Sequence, residues 1–184
     1  MINFKLVAIR LRWFLYYLLT IKYRCRFKKI GKNVYIHPTV KFSGCKNITI
    51  GNNVRFIGYS DIRGAGGLDI GDNCSIAPNC TILSTSHRYK GARLLPYDYG
   101  TIDENVRIGN NVWLGQNVSI NSGVDIGNGA IVGLSSVVVK RIPDLAIVGG
   151  NPAKIIKYRD KDHYKQLEKE AEGAWYNLLT RKNR

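Results

Sequence analysis

Few side chains in this sequence can move a proton near neutral pH. There are three histidines, His37, His87 and His163. His87 ends the run Ile82-Leu83-Ser84-Thr85-Ser86-His87, in a stretch that interrupts an otherwise regular pattern. An imidazole titrates close to neutral pH and can take the proton of an attacking hydroxyl. A loop carried on a rigid scaffold is where such a group serves. His87 is therefore the candidate general base, set against the plainer reading of an exposed loop histidine. No serine or cysteine stands beside a base in a nucleophile-elbow pattern, so a covalent intermediate is not indicated. Cys25, Cys45, Cys74 and Cys80 form no C-x-x-C pair, and no Cys/His cluster has zinc-finger spacing. They read as small buried thiols of a reducing compartment, and no metal is expected.

The elements that must position His87 are set by a repeat. An aliphatic residue recurs every six positions at Ile102, Ile108, Leu114, Ile120, Ile126, Val132 and Val138. Four residues after each of the first six stands a small or β-branched residue: Val106, Val112, Val118, Val124, Ala130 and Ser136. The same frame appears earlier in three sets, Ile30/Ile36/Phe42, Ile50/Phe56/Ile62 and Ile70/Ile76/Ile82. A fourth set is expected to begin at Ile102, with about fourteen extra residues inserted after Ile82. A period of six fits neither a helix nor simple strand alternation. It fits short flat strands joined by tight corners, three strands closing a triangular coil. Gly51-Asn52-Asn53, Gly71-Asp72-Asn73 and Gly109-Asn110-Asn111 supply corner conformations with positive φ. One coil cannot bury its apolar face alone, whereas stacked coils can. Cys74 and Cys80 take the small corner position of successive repeats.

Composition bounds the rest. The 184 residues suggest one domain with modest appendages, 45% hydrophobic and 22% charged, which excludes wholesale disorder. Lys and Arg number 28 against 13 Asp and Glu, a net charge of +15. Twelve of the basic residues precede Asp61, the first acidic residue. Nucleic acid, anionic lipid and a phosphorylated cofactor are the candidate partners. No helix-turn-helix, zinc or RNA-binding motif supports specific nucleic-acid binding. Lys5, Arg10 and Arg12 interrupt the amino-terminal apolar residues, and no small-residue cleavage site follows. The uncharged run Trp13–Ile21 is nine residues, where a spanning helix needs about 20. A cytoplasmic protein is expected, with peripheral attachment at the inner face of a membrane as an option.

Residues 1–29 mix Ile2, Phe4, Leu6, Ile9, Trp13, Tyr16, Tyr17, Leu19 and Ile21 with eight basic residues. They read either as an interfacial helix on an anionic membrane or as a helix packed on the coils or a neighbouring subunit. Tyr164, Leu167, Ala171, Trp175 and Leu178 predict an amphipathic carboxyl-terminal helix for packing or subunit contact. The organisation is then a basic amphipathic segment at 1–29, coils over 30–150 with an inserted loop at 83–101, and a tail with a helix at 151–184.

Repeat, loop and tail together resemble the hexapeptide-repeat acyltransferases, over roughly residues 30 to 150. The resemblance implies an all-β core: a left-handed parallel β-helix of about five coils with a helical segment at each end. The run Ile76-Ala77-Pro78-Asn79-Cys80-Thr81-Ile82 before His87 is similar to the segment preceding the catalytic histidine of sugar O-acetyltransferases. The implied activity is direct acetyl transfer from acetyl-CoA to a sugar hydroxyl in surface polysaccharide or lipopolysaccharide assembly, on a free or lipid-linked saccharide. Asn79 and Trp113 of Val112-Trp113-Leu114-Gly115 are candidate substrate contacts. Galactoside-type members use an Asn upstream of this region. The matching stretch Gly58-Tyr59-Ser60-Asp61 has none, leaving Asp61 as the candidate there.

Gly133-Leu134-Ser135-Ser136 resembles the family's glycine-serine run, which implies pantetheine contacts at Gly133 and Ser135. Gly149-Gly150-Asn151-Pro152-Ala153-Lys154 matches its terminal motif. Lys154 and Lys157 would face the phosphates of CoA, helped by Lys140 or Arg141, since flexible cations suit a pyrophosphate. The resemblance also implies a homotrimer in which His87 of one chain meets Trp113 or Lys154 of the next. γ-Class carbonic anhydrases share the fold, but the three histidines lack their metal-binding spacing. Alternatives are an amino-sugar N-acyltransferase, an antibiotic acetyltransferase and a non-catalytic scaffold.

Overall fold

A computed structural model describes residues 4–24 and 26–170, with side chains from 26 onward and for most of 11–24. Cys25, Ile2, Ala171, Trp175, Leu178 and the side chains of Phe4, Leu6, Ile9 and Trp13 lie outside the described residues.

The six-residue period becomes a three-sided parallel β-helix. The first face stacks Lys29–Ile30, Ile48–Ile50, Leu68–Ile70, Val106–Ile108 and Asp125–Ile126. The second stacks Tyr35–Ile36, Arg55–Phe56, Ser75–Ile76, Trp113–Leu114, Ile131–Val132 and Ala146–Gly149. The third stacks Lys41–Ser43, Asp61–Arg63, Thr81–Leu83, Ser119–Ile120 and Val137–Val138. Five coils are complete, and a bridge from Ile126 to Ile142 starts a sixth. The strand Lys154–Tyr158 then turns back antiparallel on Ala146–Gly149.

The burial follows the repeat. Ile50, Phe56, Ile62, Ile76, Ile82, Leu114 and Val132 are fully enclosed, and so are the corner residues Cys80, Val106, Val118, Ala130 and Ser136. Each large aliphatic side chain removed from water contributes about 1.5–3 kcal/mol. The thiols of Cys74 and Cys80 donate to the carbonyls of Gly109 (3.0 Å) and Gly115 (3.2 Å). Burial pushes them up to about 12 and about 11, so both are inert.

At the Gly-Asn-Asn corners the structure divides the labour differently from expectation. The left-handed residue is the last Asn: Asn53, Asn73 and Asn111 have φ of 57° to 58°. Their side-chain amides form a ladder, Asn53 donating to Asn73 at 2.9 Å and Asn73 to Asn111 at 3.0 Å. The glycine serves close approach instead. A Cβ on Gly109 would sit 2.9 Å from the amide nitrogen of Asn128 in the next coil.

The coil resumes later than the sequence pattern suggested. Val106–Ile108 registers with Leu68–Ile70, so Ile108, not Ile102, opens the fourth coil. Ile102 lies in a strand, Thr101–Asp103, that pairs antiparallel with Thr85–His87 outside the coil stack. The insertion is a hairpin, and Ile102 falls into the six-residue frame without occupying a coil position.

Helix α1 (Phe4–Arg24) lies against the first coils. Tyr23 and Phe27 pack on Phe42, with ring centroids at 5.4 and 5.1 Å, and Phe42 on Phe56 at 5.2 Å. Arg24 donates to the Val34 carbonyl at 2.7 Å. Apolar residues lie on opposite sides of the helix, so its amphipathicity is weaker than expected. Helix α2 (Lys161–Glu170) packs Tyr164 at the other end, its hydroxyl accepting from Asn111 at 2.7 Å.

Candidate active site

The hairpin that carries His87 leaves the third face directly after Leu83. Its root is a buried serine: Ser84 Oγ donates to the Arg63 carbonyl and accepts from Gly66 N–H, both at 3.0 Å. The Ser84 carbonyl accepts from Glu104 N–H at 2.9 Å, closing the base of the insertion. Above it Thr85 faces Asp103, Ser86 faces Ile102 and His87 faces Thr101.

Beyond the hairpin, Asp98 organises the irregular tip. Its carboxylate, only 7% exposed, accepts from Arg88 at 2.6 and 3.1 Å, from Gly100 N–H at 2.8 Å and from Arg93 N–H at 3.2 Å. The Arg88 guanidinium, then the Gly100 amide, hold it down to about 2. Charge-assisted bonds of this length are the strong ones. The neighbouring Tyr97 ring stacks on the His87 imidazole, centroids 4.0 Å apart and planes 15° from parallel. His87 is exposed, and among the described residues no hydrogen bond engages its ring. A stacked, solvent-facing imidazole with both nitrogens open can receive a proton from a bound hydroxyl. The ring plane of His87 is thus set against Tyr97, a residue that sequence reasoning missed. The polar-aromatic run Tyr97-Asp98-Tyr99-Gly100 within the insertion was its only signal.

The substrate-side candidates scatter over the coil. Asp61 stands on the third face, two strands' width below Ser119, and its carboxylate is held by Arg63 at 2.8 and 3.0 Å. It binds that arginine rather than His87. Asn79 is exposed in the corner between the second and third faces, with φ of 60°. Trp113 projects from the second face, 55% exposed, beside Ser75 and Ile131. With Tyr164, Leu167 and Arg159 it lines a groove of about 440 Å³. Trp113 thus stands on the second face, whereas His87 stands on the hairpin that leaves the third.

The cofactor-side candidates gather near the last coils. Ser135 is exposed with φ of 57°, a conformation that glycine adopts more readily. Ser136 Oγ bridges Gly133 O (2.7 Å) and Gly150 N–H (3.2 Å), tying the glycine-serine run to the terminal motif. Ala153 N–H caps Val137 O at 2.8 Å, and Lys154 follows opposite Gly149. Lys157 lies opposite Ile147. Lys140 and Arg141 stand apart, past the far end of Val137–Val138, where Arg141 lines a groove with Asp69, Arg107 and Asp125. Lys140, Lys154 and Lys157 are exposed, and none pairs with a carboxylate among the described residues. Cations left open beside accessible coil backbone fit a phosphorylated amide chain.

His37 is accounted for structurally, its Nδ1 2.8 Å from Thr39 Oγ1 and its ring edge-on to Tyr16. Among the described residues no three His, Cys, Asp or Glu gather as metal ligands.

Residues 105–140 match the bacterial transferase hexapeptide (six repeats) family. Galactoside O-acetyltransferase of Escherichia coli K12 is 36% identical over 146 residues, covering 75% of this chain and 68% of that protein. The dTDP-4-amino-4,6-dideoxy-D-glucose acyltransferase of Escherichia coli is 40% identical over 83 residues, 45% of this chain, and the match spans only 40% of that protein's length. The crystal structure of a hexapeptide-repeat acetyltransferase from Vibrio cholerae complexed with acetyl-CoA superposes with a TM-score of 0.68 at 30% identity, over 75% of each chain. With the coil stack, its register and these likenesses in agreement, the chain belongs to the hexapeptide-repeat acyltransferase family.

Proposed function

We propose that the protein transfers an acetyl group from acetyl-CoA to a sugar hydroxyl, with His87 as general base. The observation that carries this reading is the exposed His87 imidazole, stacked on Tyr97 at the edge of a rigid coil. In the proposed step His87 takes the proton of the acceptor hydroxyl as its oxygen attacks the thioester carbonyl. The proton then passes to the departing thiolate as the tetrahedral intermediate collapses. Backbone N–H groups of loop or coil would hold the developing oxyanion. Gly133, Ser135 and Lys154 would hold the pantetheine arm and phosphates, with Lys157 and Lys140 as outer cations.

With Trp113 on the second face and His87 on a hairpin that leaves the third, the reading includes a homotrimer in which one chain's hairpin meets a neighbour's coil. The galactoside relative supports the O-transfer. The setting proposed is surface polysaccharide or lipopolysaccharide synthesis on the cytoplasmic side of the membrane.

Transfer to an amino-sugar nitrogen is the second reading, favoured by the dTDP-aminosugar relative. Calorimetric titration with acetyl-CoA tests the common part. Saturable binding weakened about tenfold by Lys154→Ala is expected for loss of one phosphate contact. Absence of binding by the folded chain overturns it. Incubation with galactosides and with dTDP-4-amino sugars, read by product mass, then separates O- from N-transfer.

A further inference from the structure

Helix α1 has two apolar faces, and the coils cover one. With 3.6 residues per turn, Tyr16, Thr20 and Tyr23 share a side. Tyr16 meets His37 at 5.1 Å, Tyr23 meets Phe42 at 5.4 Å, and Thr20 is fully buried with its hydroxyl donating to the Tyr16 carbonyl at 2.8 Å. Leu11, Phe14, Leu15 and Leu18 recur at i, i+3, i+4 and i+7 on the opposite side, joined by Leu19 and Ile21. Each of these six is 43% to 59% exposed. Scattered surface leucines need no explanation, but a contiguous row of them marks an interaction surface.

Charge selects the partner. Exposed Lys22 lies in the last turn of the helix, exposed Arg26, Lys28, Lys29 and Lys32 follow it, and no acidic residue precedes Asp61. A second copy laid on this face would bring no carboxylate from its own first 60 residues to meet these cations. An anionic bilayer satisfies both features, taking the leucine row into the acyl boundary and the lysines against lipid phosphates. No helix among the described residues is long and apolar enough to cross a membrane. We infer that the outer face of α1, with the basic start of the first coil, is a docking surface for an anionic lipid bilayer on which the helix lies flat. Such docking would hold the coils beside membrane-borne acceptors, although the surface itself does not depend on the acetyl-transfer reading.

The test is flotation of the full chain with vesicles of phosphatidylcholine plus phosphatidylglycerol, and with phosphatidylcholine alone. Binding to the mixed vesicles is expected to be at least about tenfold tighter than to the neutral ones, and to weaken as salt rises. The double variant Leu15→Ser/Leu18→Ser alters only the outer face. It should lose that binding about tenfold or more while its thermal unfolding midpoint stays that of the parent, which excludes misfolding as the cause. Equal recovery on both vesicle types overturns the proposal, as does unchanged binding by the double variant. Sedimentation in which that variant dissociates a parent oligomer, with no vesicle binding by the parent, would assign the face to a second copy instead.

Discussion

The strand Thr81–Leu83 and the hairpin that begins two residues later are consecutive in the chain and held by opposite means. Ile82 is completely buried, aligned with Ile62 below and Ile120 above, and every neighbouring coil repeats the arrangement. The hairpin has no such repetition. Its residues 86–91 are all exposed, and its order depends on Ser84 at the root and Asp98 at the tip. Apolar stacking is non-directional and redundant, so it supports a frame but places no single polar atom. A few short polar bonds place one ring and contribute little to the frame. Stability and chemistry should therefore separate along this boundary, and substitutions on either side can break or sharpen the contrast.

The largest effect is expected at His87. On the proposed mechanism, His87→Ala lowers the transfer rate about 10²- to 10⁴-fold and leaves the unfolding transition unchanged, since the residue is exposed and its ring stacks on Tyr97 at the edge of the coils. Rates with a responsive sugar acceptor, measured beside a denaturant curve, check both halves. A variant that keeps full activity would remove His87 from the chemistry.

Leu114→Ala is the converse. Leu114 is wholly enclosed between Ile76 and Val132 in adjacent coils. Truncating it costs about 2–5 kcal/mol, because stacked coils cannot collapse into the space. Chemical denaturation should report that loss, while the per-molecule transfer rate of the folded fraction stays near that of the parent. If activity falls in step with stability, coil and hairpin are mechanically one body.

The same contrast decides what the sequence disclosed. The coil was legible because each position states its burial through residue type: Ile76, Leu114 and Val132 inward, Cys80, Val118 and Ser136 in the corners. Repetition then checks each reading against its neighbours. The insertion had no such check. Ile102 falls six residues before Ile108 and passed for a coil residue, although it pairs with Ser86 in the hairpin. The split roles of glycine and asparagine at the corners were also hidden, because composition shows that a turn is tight but not which residue is left-handed. The Arg88–Asp98 pair and the Tyr97 stack join residues ten apart across an irregular tip, where no period exists to read. Of the candidate site, sequence named the imidazole and the lysines but not what holds the imidazole in place.

Asp98 offers the smaller and sharper test. It touches no reacting atom and acts by holding the segment that bears Tyr97. Asp98→Asn should lower kcat about tenfold through misplacement of the imidazole, leaving the KM for acetyl-CoA and the thermal midpoint close to the parent's. Acidification should reproduce this locally. A carboxyl ordinarily near 3.8 is held to about 2 by Arg88 and the Gly100 amide. Its folded-state value is depressed, so its contribution is complete above 3.8 and is lost as pH falls through that value toward 2. Protection of the Gly100 and Arg93 amides against hydrogen exchange should then persist at neutral pH and disappear between about pH 4 and 2. The Gly115 amide, bonded to Val132 O at 2.8 Å in the coil wall, is the internal standard and should stay protected further into acid. In Asp98→Asn the hairpin amides should exchange faster already at pH 7, with Gly115 unaffected. Loss of protection at all three amides together would mean that the tip and the coils open in one step, and the separation of frame from chemistry would fail.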